Sequence, residues 1–246
     1  MKLEKLLTKK GAIFFAVFTI LAYISMEFNF STLLGMPEGQ NQTFTFFQFM
    51  GPVAGGFLGA GIGVFAVLFA ELINFILVGK ETSIINVLRL LPMLFGAYYF
   101  AKNRERLLTD KLSVLIPILC MGLFILNPLA QNGWFYSLFW LIPVIAKFLP
   151  DRLFLRSLGA TFIAHGVGTV VWIYSLSFIG TGVFPFEFWT MLMPVAFTER
   201  ILFATGILVT YIAFNTILSK VDSLNIINLK SIITIEEKYA ISTKSD

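Results

Sequence analysis

The chain has 246 residues, of which 57% are hydrophobic and 13% charged, with 28 Phe and a formal net charge of +4. An average soluble chain is ~25% charged, and a water-soluble domain cannot hide so many apolar residues. A soluble globular protein is therefore excluded, an all-α membrane protein is expected, and the surplus of Lys and Arg reports topology rather than a nucleic-acid partner.

Taken in order, Met1–Lys10 carries Lys2, Lys5, Lys9 and Lys10, and Gly11–Phe28 is an apolar run with Glu27 at its far end. The run is ~18 residues long and lacks a small-x-small cleavage site, so it reads as a retained first span rather than a signal peptide. Asn29–Gln42 is polar, holds Pro37 and Gly39 but no Lys or Arg, and reads as an outside loop. Asn29-Phe30-Ser31 and Asn41-Gln42-Thr43 match the glycan-acceptor pattern.

Thr43–Val78 decides the topology. Its only ionisable residue is Glu71. It is too long for one comfortable span of ~20 residues and just long enough for two short ones. Gly51, Gly55, Gly59 and Gly63 recur every four residues, which places small residues on one helical face. Two passes require a sharp turn near Gly59–Gly63, which Gly tolerates; the regular spacing suits an unbroken helix instead.

Gly79–Ser83 then reads as a polar turn, Ile84–Ala101 as a span with Arg89 and Pro92, and Lys102–Lys111 as a charged loop. Leu112–Ala130 is a span, Gln131-Asn132-Gly133 a tight turn, and Trp134–Pro150 a short span with Trp134 and Tyr136 at an interface. After the charged loop Asp151–Arg156 comes the span Ser157–Ile179, holding His165 beside a ladder of Ala160, Ala164 and Gly168. Gly180–Phe188 is a Gly- and Phe-rich loop without a basic residue, and Trp189–Ser219 is a long span with Pro194, Glu199 and Arg200. Residues 1–219 thus form one transmembrane domain, and 220–246 a charged cytoplasmic tail, expected to be loosely ordered.

Two passes for Thr43–Val78 make about eight in all (six to eight being the range) and put both termini in the cytoplasm. Lys2, Lys5, Lys9, Lys10, Lys102, Arg104, Arg106, Lys111, Lys147, Arg152, Arg156, Lys220, Lys230, Lys238 and Lys244 then share the inside, and only Lys80 lies outside. One pass splits them, so the positive-inside rule prefers two.

Charges within a bilayer are costly and should face a protein interior or water. Glu71, Arg89, His165, Glu199 and Arg200 all fall in apolar runs, which makes them, with Asn74 one turn from Glu71, the candidate substrate-binding residues. Glu71 and Arg89 flank the turn near Glu81 at similar distance, so a hairpin brings them to similar depth. They can pair, either to dock helices or to contact substrate. Glu199 and Arg200 point ~100° apart on a helix, so each is expected to need a partner elsewhere, or one of them to line a cavity. His165 serves as a packing hydrogen-bond partner or as a proton relay. There is no P-loop, H-E-x-x-H, Cys cluster or G-x-S-x-G elbow, so no enzyme, metal site or cofactor is expected.

The run Gly51-Pro52-Val53-Ala54-Gly55-Gly56-Phe57-Leu58-Gly59-Ala60-Gly61-Ile62-Gly63 resembles the G-P-x-x-G-x-x-x-G segment of substrate-binding S components of energy-coupling factor (ECF) vitamin transporters. Ala12-Ile13-Phe14-Phe15-Ala16 is similar to that family's A-x-x-x-A contact motif for the transmembrane coupling subunit. The resemblance implies a multi-pass cell-membrane protein that binds a vitamin-like molecule from outside. Ala12 and Ala16 would face the coupling subunit, and separate ATPase subunits would power uptake. Members of the family usually have six spans. The alternatives are a non-transporting membrane scaffold or assembly subunit, whose buried charges dock partner helices, and a proton-coupled secondary carrier using Glu71, His165 or Glu199.

Overall fold

A computed structural model describes residues 8–31, 43–103, 110–180, 182–224 and 228–241. Lys2, Lys5, Arg104, Arg106 and Lys244, and Asn41 and Gln42 of the second glycan pattern, lie outside the described residues. The described chain is mainly helical, and four helices are long and apolar enough to cross a membrane. Helix α1 (Lys9–Glu27) begins where the Thr8 hydroxyl caps the Gly11 amide at 3.1 Å. It buries Phe18, Thr19 and Ala22, half-buries Phe14, Phe15 and Met26 beside them, and exposes Ala12, Ile13, Ala16, Val17 and Ile20. What the sequence presents as a plain loop is flanked by two short antiparallel strands, β1 (Asn29–Ser31) and β2 (Thr43–Thr45), with Phe30 opposite Phe44.

The glycine-rich stretch folds as α2 (Phe47–Leu77), continuous except at Gly59, whose φ of 77° and ψ of 171° are non-helical. That backbone region is essentially reserved for glycine. The chain turns back there, because a Cβ placed on Gly63 would lie 2.7 Å from the Gly55 Cα, whereas an unbroken helix would hold the two residues ~12 Å apart. Two antiparallel arms result, and the four-residue spacing serves the turn rather than opposing it. Gly55 lets the first arm rest on α4 (Leu91–Lys102), where a Cβ would come within 1.9 Å of the Ala97 carbonyl oxygen. Gly56 admits the rings of Tyr211 and Phe100, and Gly63 admits the first arm itself.

A paired set of substitutions tests this arrangement. Gly55→Ala should sharply lower the thermal midpoint of the purified protein, since backbone must move, and Gly59→Ala should cost about 1–3 kcal/mol in backbone strain. Gly61→Ala, where nothing lies within 4 Å, should be neutral or slightly stabilising because Ala is the better helix former. Equal effects at all three positions would contradict the hairpin.

The expected single span after the turn is present as Ile84–Lys102, in which α3 (Ile84–Leu88) runs into α4 through Arg89-Leu90. Pro92, in the first turn of α4, has no backbone donor, which suits a helix start. Helix α5 (Leu112–Leu126) follows, then a 3-10 segment (Pro128–Trp140) and α6 (Leu141–Phe148). The sequence suggests a tight turn and a helix across this region. Instead Asn127 caps the Leu129 amide at 2.9 Å and the winding is tight throughout, interrupted at Gly133. Gly133 is needed because the Trp189 indole occupies the place of a side chain, 2.3 Å from an added Cβ. Helix α7 (Leu153–Ile179) ends on Gly180 in the left-handed conformation. The Ala160, Ala164 and Gly168 ladder packs on Gly96 and Pro92 of α4, the close approach its spacing implies. The long α8 (Phe186–Ser223) completes the bundle.

One end of the bundle is closed by ion pairs. Lys147, buried in α6, donates to Asp110 at 2.8 Å and to the Lys102 carbonyl at 2.6 Å, while Tyr98 and Ser113 also donate to Asp110. Burial alone would raise the Asp110 carboxyl, but the hydrogen bonds from Lys147, Ser113 and Tyr98 hold it below the ordinary value. At the same end the tail is docked rather than loose. Leu229, Ile232 and Ile233 are buried, and the Thr234 amide donates to the Phe57 carbonyl at 2.9 Å, beside the Gly59 turn. Glu236 accepts from Arg156 at 2.7 Å and from the Tyr211 hydroxyl at 2.6 Å. Arg156, fully buried, also binds both oxygens of Asp151 at 2.9 Å.

Candidate functional site

The opposite end of the bundle, where β1 and β2 and the turn before α3 lie, holds a cavity of about 410 Å³. This is within the ~300–1,000 Å³ usual for small-molecule sites. Each surrounding element contributes because of how it starts or bends. The second arm of α2 rises from the Gly59 turn and carries Glu71 and Asn74 to the wall. The α3–α4 joint contributes Arg89, Leu90 and Pro92. Helix α7, held close to α4 by its small-residue ladder, presents His165, Thr169 and Trp172, and α8 presents Ala196, Glu199 and Arg200. Tyr136 comes from the 3-10 segment, and Phe44, Thr45, Phe47 and Gln48 from β2 and the start of α2.

All six residues marked by their cost within a membrane, Glu71, Asn74, Arg89, His165, Glu199 and Arg200, therefore line one cavity although they come from four elements. Their pairing differs from expectation at two points. Glu71 and Arg89 share the cavity but form no ion pair: Arg89 is exposed and donates to Asn86 at 3.2 Å. Arg89 and Leu90 keep right-handed helical angles, and the Arg89 guanidinium reaches back one turn to Asn86 rather than across the hairpin. Glu199 and Arg200, though adjacent, do meet, with Arg200 Nη2 3.2 Å from Glu199 Oε2. Both side chains are long enough to swing across the ~100° between them.

Arg200 is 3% exposed. Its guanidinium lies over Phe203, 4.3 Å from the ring centroid, and 5.3 Å from that of Phe44. Cation–π contact of this kind compensates part of the lost hydration. Its Nε has no hydrogen-bond partner among the described residues, and neither has Glu71 Oε2. His165 Nε2 lies 2.9 Å from the Tyr136 hydroxyl, so the histidine has a local partner on the cavity wall.

The aromatic part of the site was not visible as such. Tyr136 reads as an interfacial anchor but is 1% exposed. Trp172 and Phe44 carried no signal beyond their apolar character. The Gly- and Phe-rich loop after α7 is tied down: the Phe184 amide donates to the Leu129 carbonyl at 3.4 Å, and Asn132 donates to the Phe184 carbonyl at 3.2 Å. Phe184 stacks on Trp172 and Phe188, with centroids 5.6 and 4.6 Å apart, and Phe188 reaches the cavity.

Ala12 and Ala16 lie far from this site in role, both exposed on the face of α1 turned away from the bundle. Comparison with protein-family models, with curated proteins and with solved structures gave no match.

Proposed function

We propose that this is a multi-pass cell-membrane protein that binds a small molecule from the extracytoplasmic side, as the substrate-binding component of an uptake system. The observation that carries the reading is the convergence of Glu71, Asn74, Arg89, His165, Glu199 and Arg200 on one cavity. Charged groups placed in a membrane only to dock helices would be expected to satisfy one another in pairs. Here Arg200 and Glu71 each retain a buried polar atom without a partner among the described residues, as groups awaiting a ligand do.

Counting the two arms of α2 separately gives eight passes with both termini in the cytoplasm. Lys102, Lys147, Arg156, Lys230 and Lys238 then fall at the closed, cytoplasmic end, and Lys80 at the cavity end, in keeping with the positive-inside rule. The sequence holds no P-loop, so uptake driven by ATP would draw on separate subunits. The exposed Ala12 and Ala16 on α1 offer small-residue contacts for a transmembrane coupling subunit, and separate ATPase subunits would supply the work. Both features support the likeness to ECF S components.

The orientation and the opening can be tested together. In a Cys120→Ala background, Thr169→Cys places a thiol in the cavity wall. A membrane-impermeant thiol reagent added to intact cells should label it. Labelling only after the cytoplasmic side is exposed would overturn the proposed direction of access.

A further inference from the structure

We infer that the cavity takes an aromatic zwitterion: a small ring-bearing molecule with a carboxylate at one pole and an amine at the other. This rests on the reading of the cavity as a substrate site. Glu71 and Arg200, each with one polar atom lacking a partner among the described residues, stand at one level of the bundle. Glu71 is twelve residues past the Gly59 turn, ~18 Å along the second arm. Tyr211 stacks on Phe57 beside that turn, with ring centroids 4.8 Å apart, and Arg200 lies eleven residues before it, ~16 Å higher. The acidic and the basic group thus face the cavity from two different helices at similar depth.

Each group asks for a different partner. Arg200 spends Nη2 on Glu199 and leaves Nε unpartnered, so it calls for an oxygen acceptor. The neighbouring Glu199 carboxylate repels a doubly charged phosphate, which favours a singly charged carboxylate. Glu71 Oε2 is unpartnered and calls for an N–H donor. A simple anion would leave Glu71 unsatisfied, and a simple cation would leave Arg200 so. Phe44, Trp172 and Phe188 line the same wall, which suits a ring.

Three indole compounds separate the two poles. Tryptophan has both groups, indole-3-propionate lacks the amine and tryptamine lacks the carboxylate. Titrated by calorimetry onto the purified full chain in lipid nanodiscs, tryptophan should bind ~10–100-fold tighter than either, the range for one lost charged hydrogen bond. Arg200→Lys should weaken tryptophan and indole-3-propionate but leave tryptamine unchanged, and Glu71→Gln should weaken tryptophan and tryptamine but leave indole-3-propionate unchanged. If a singly charged probe binds as tightly as tryptophan and still depends on Arg200 or Glu71, the zwitterion is overturned and the cavity stands as a binding site. If no probe binds in a manner that depends on either residue, both the zwitterion and the binding site are overturned.

Discussion

Arg156→Ala is expected to cost about 3–5 kcal/mol of stability, the range for breaking a buried ion pair from one side. The guanidinium is fully buried and held by Asp151 and Glu236, the second of which arrives from the tail eighty residues away in sequence. Its flat face also lies over Phe100, Tyr211 and Tyr239, at 5.3, 5.9 and 5.9 Å from their centroids. Removing it leaves two carboxylates close together without their cation, under a tail that caps the Gly59 turn. Lys238 touches the same carboxylates at 3.2 and 3.7 Å but is 54% exposed. Lys238→Ala should therefore cost no more than ~1 kcal/mol. Thermal midpoints of the two purified variants check the contrast, and similar midpoints would mean that the tail contact is only a surface association.

The second large effect is expected at Arg200, and it should appear in binding rather than in folding. Arg200→Lys keeps the positive charge, the pairing with Glu199 and the position under Phe44. It loses the planar fork and Nε, the donor that has no partner among the described residues. Affinity for the physiological ligand should fall ~10–100-fold, while the thermal midpoint stays within a few degrees of the unmodified protein. A variant that fails to fold would instead make Arg200 a packing residue, as a membrane scaffold would use it.

Much of the architecture was legible because the membrane makes certain residues expensive. Glu71, His165, Glu199 and Arg200 stood out as ionisable groups in apolar runs, and they meet at one cavity. The turn at Gly59 was legible from the distribution of basic residues and from glycine's tolerance of a sharp turn, whereas the four-residue spacing suited a straight helix. What stayed hidden depended on contacts between distant parts of the chain. The orientation of Arg89 follows from its hydrogen bond to Asn86 one turn back, which hydropathy does not register. The 3-10 segment depends on Trp189 filling the space beside Gly133. The docked tail depends on Glu236 finding Arg156, and its composition alone reads as a solvated, charged end.

Mass spectrometry of solvent extracts from the purified protein tests the central claim most directly. Equal amounts of folded wild type and Arg200→Lys, purified in parallel from the same cells, would be denatured and their released small molecules compared. A small molecule should be present in near-stoichiometric amount in the wild-type extract and be lost or strongly reduced in the variant. Extracts that are the same for both proteins, with no compound whose retention depends on Arg200, would contradict it.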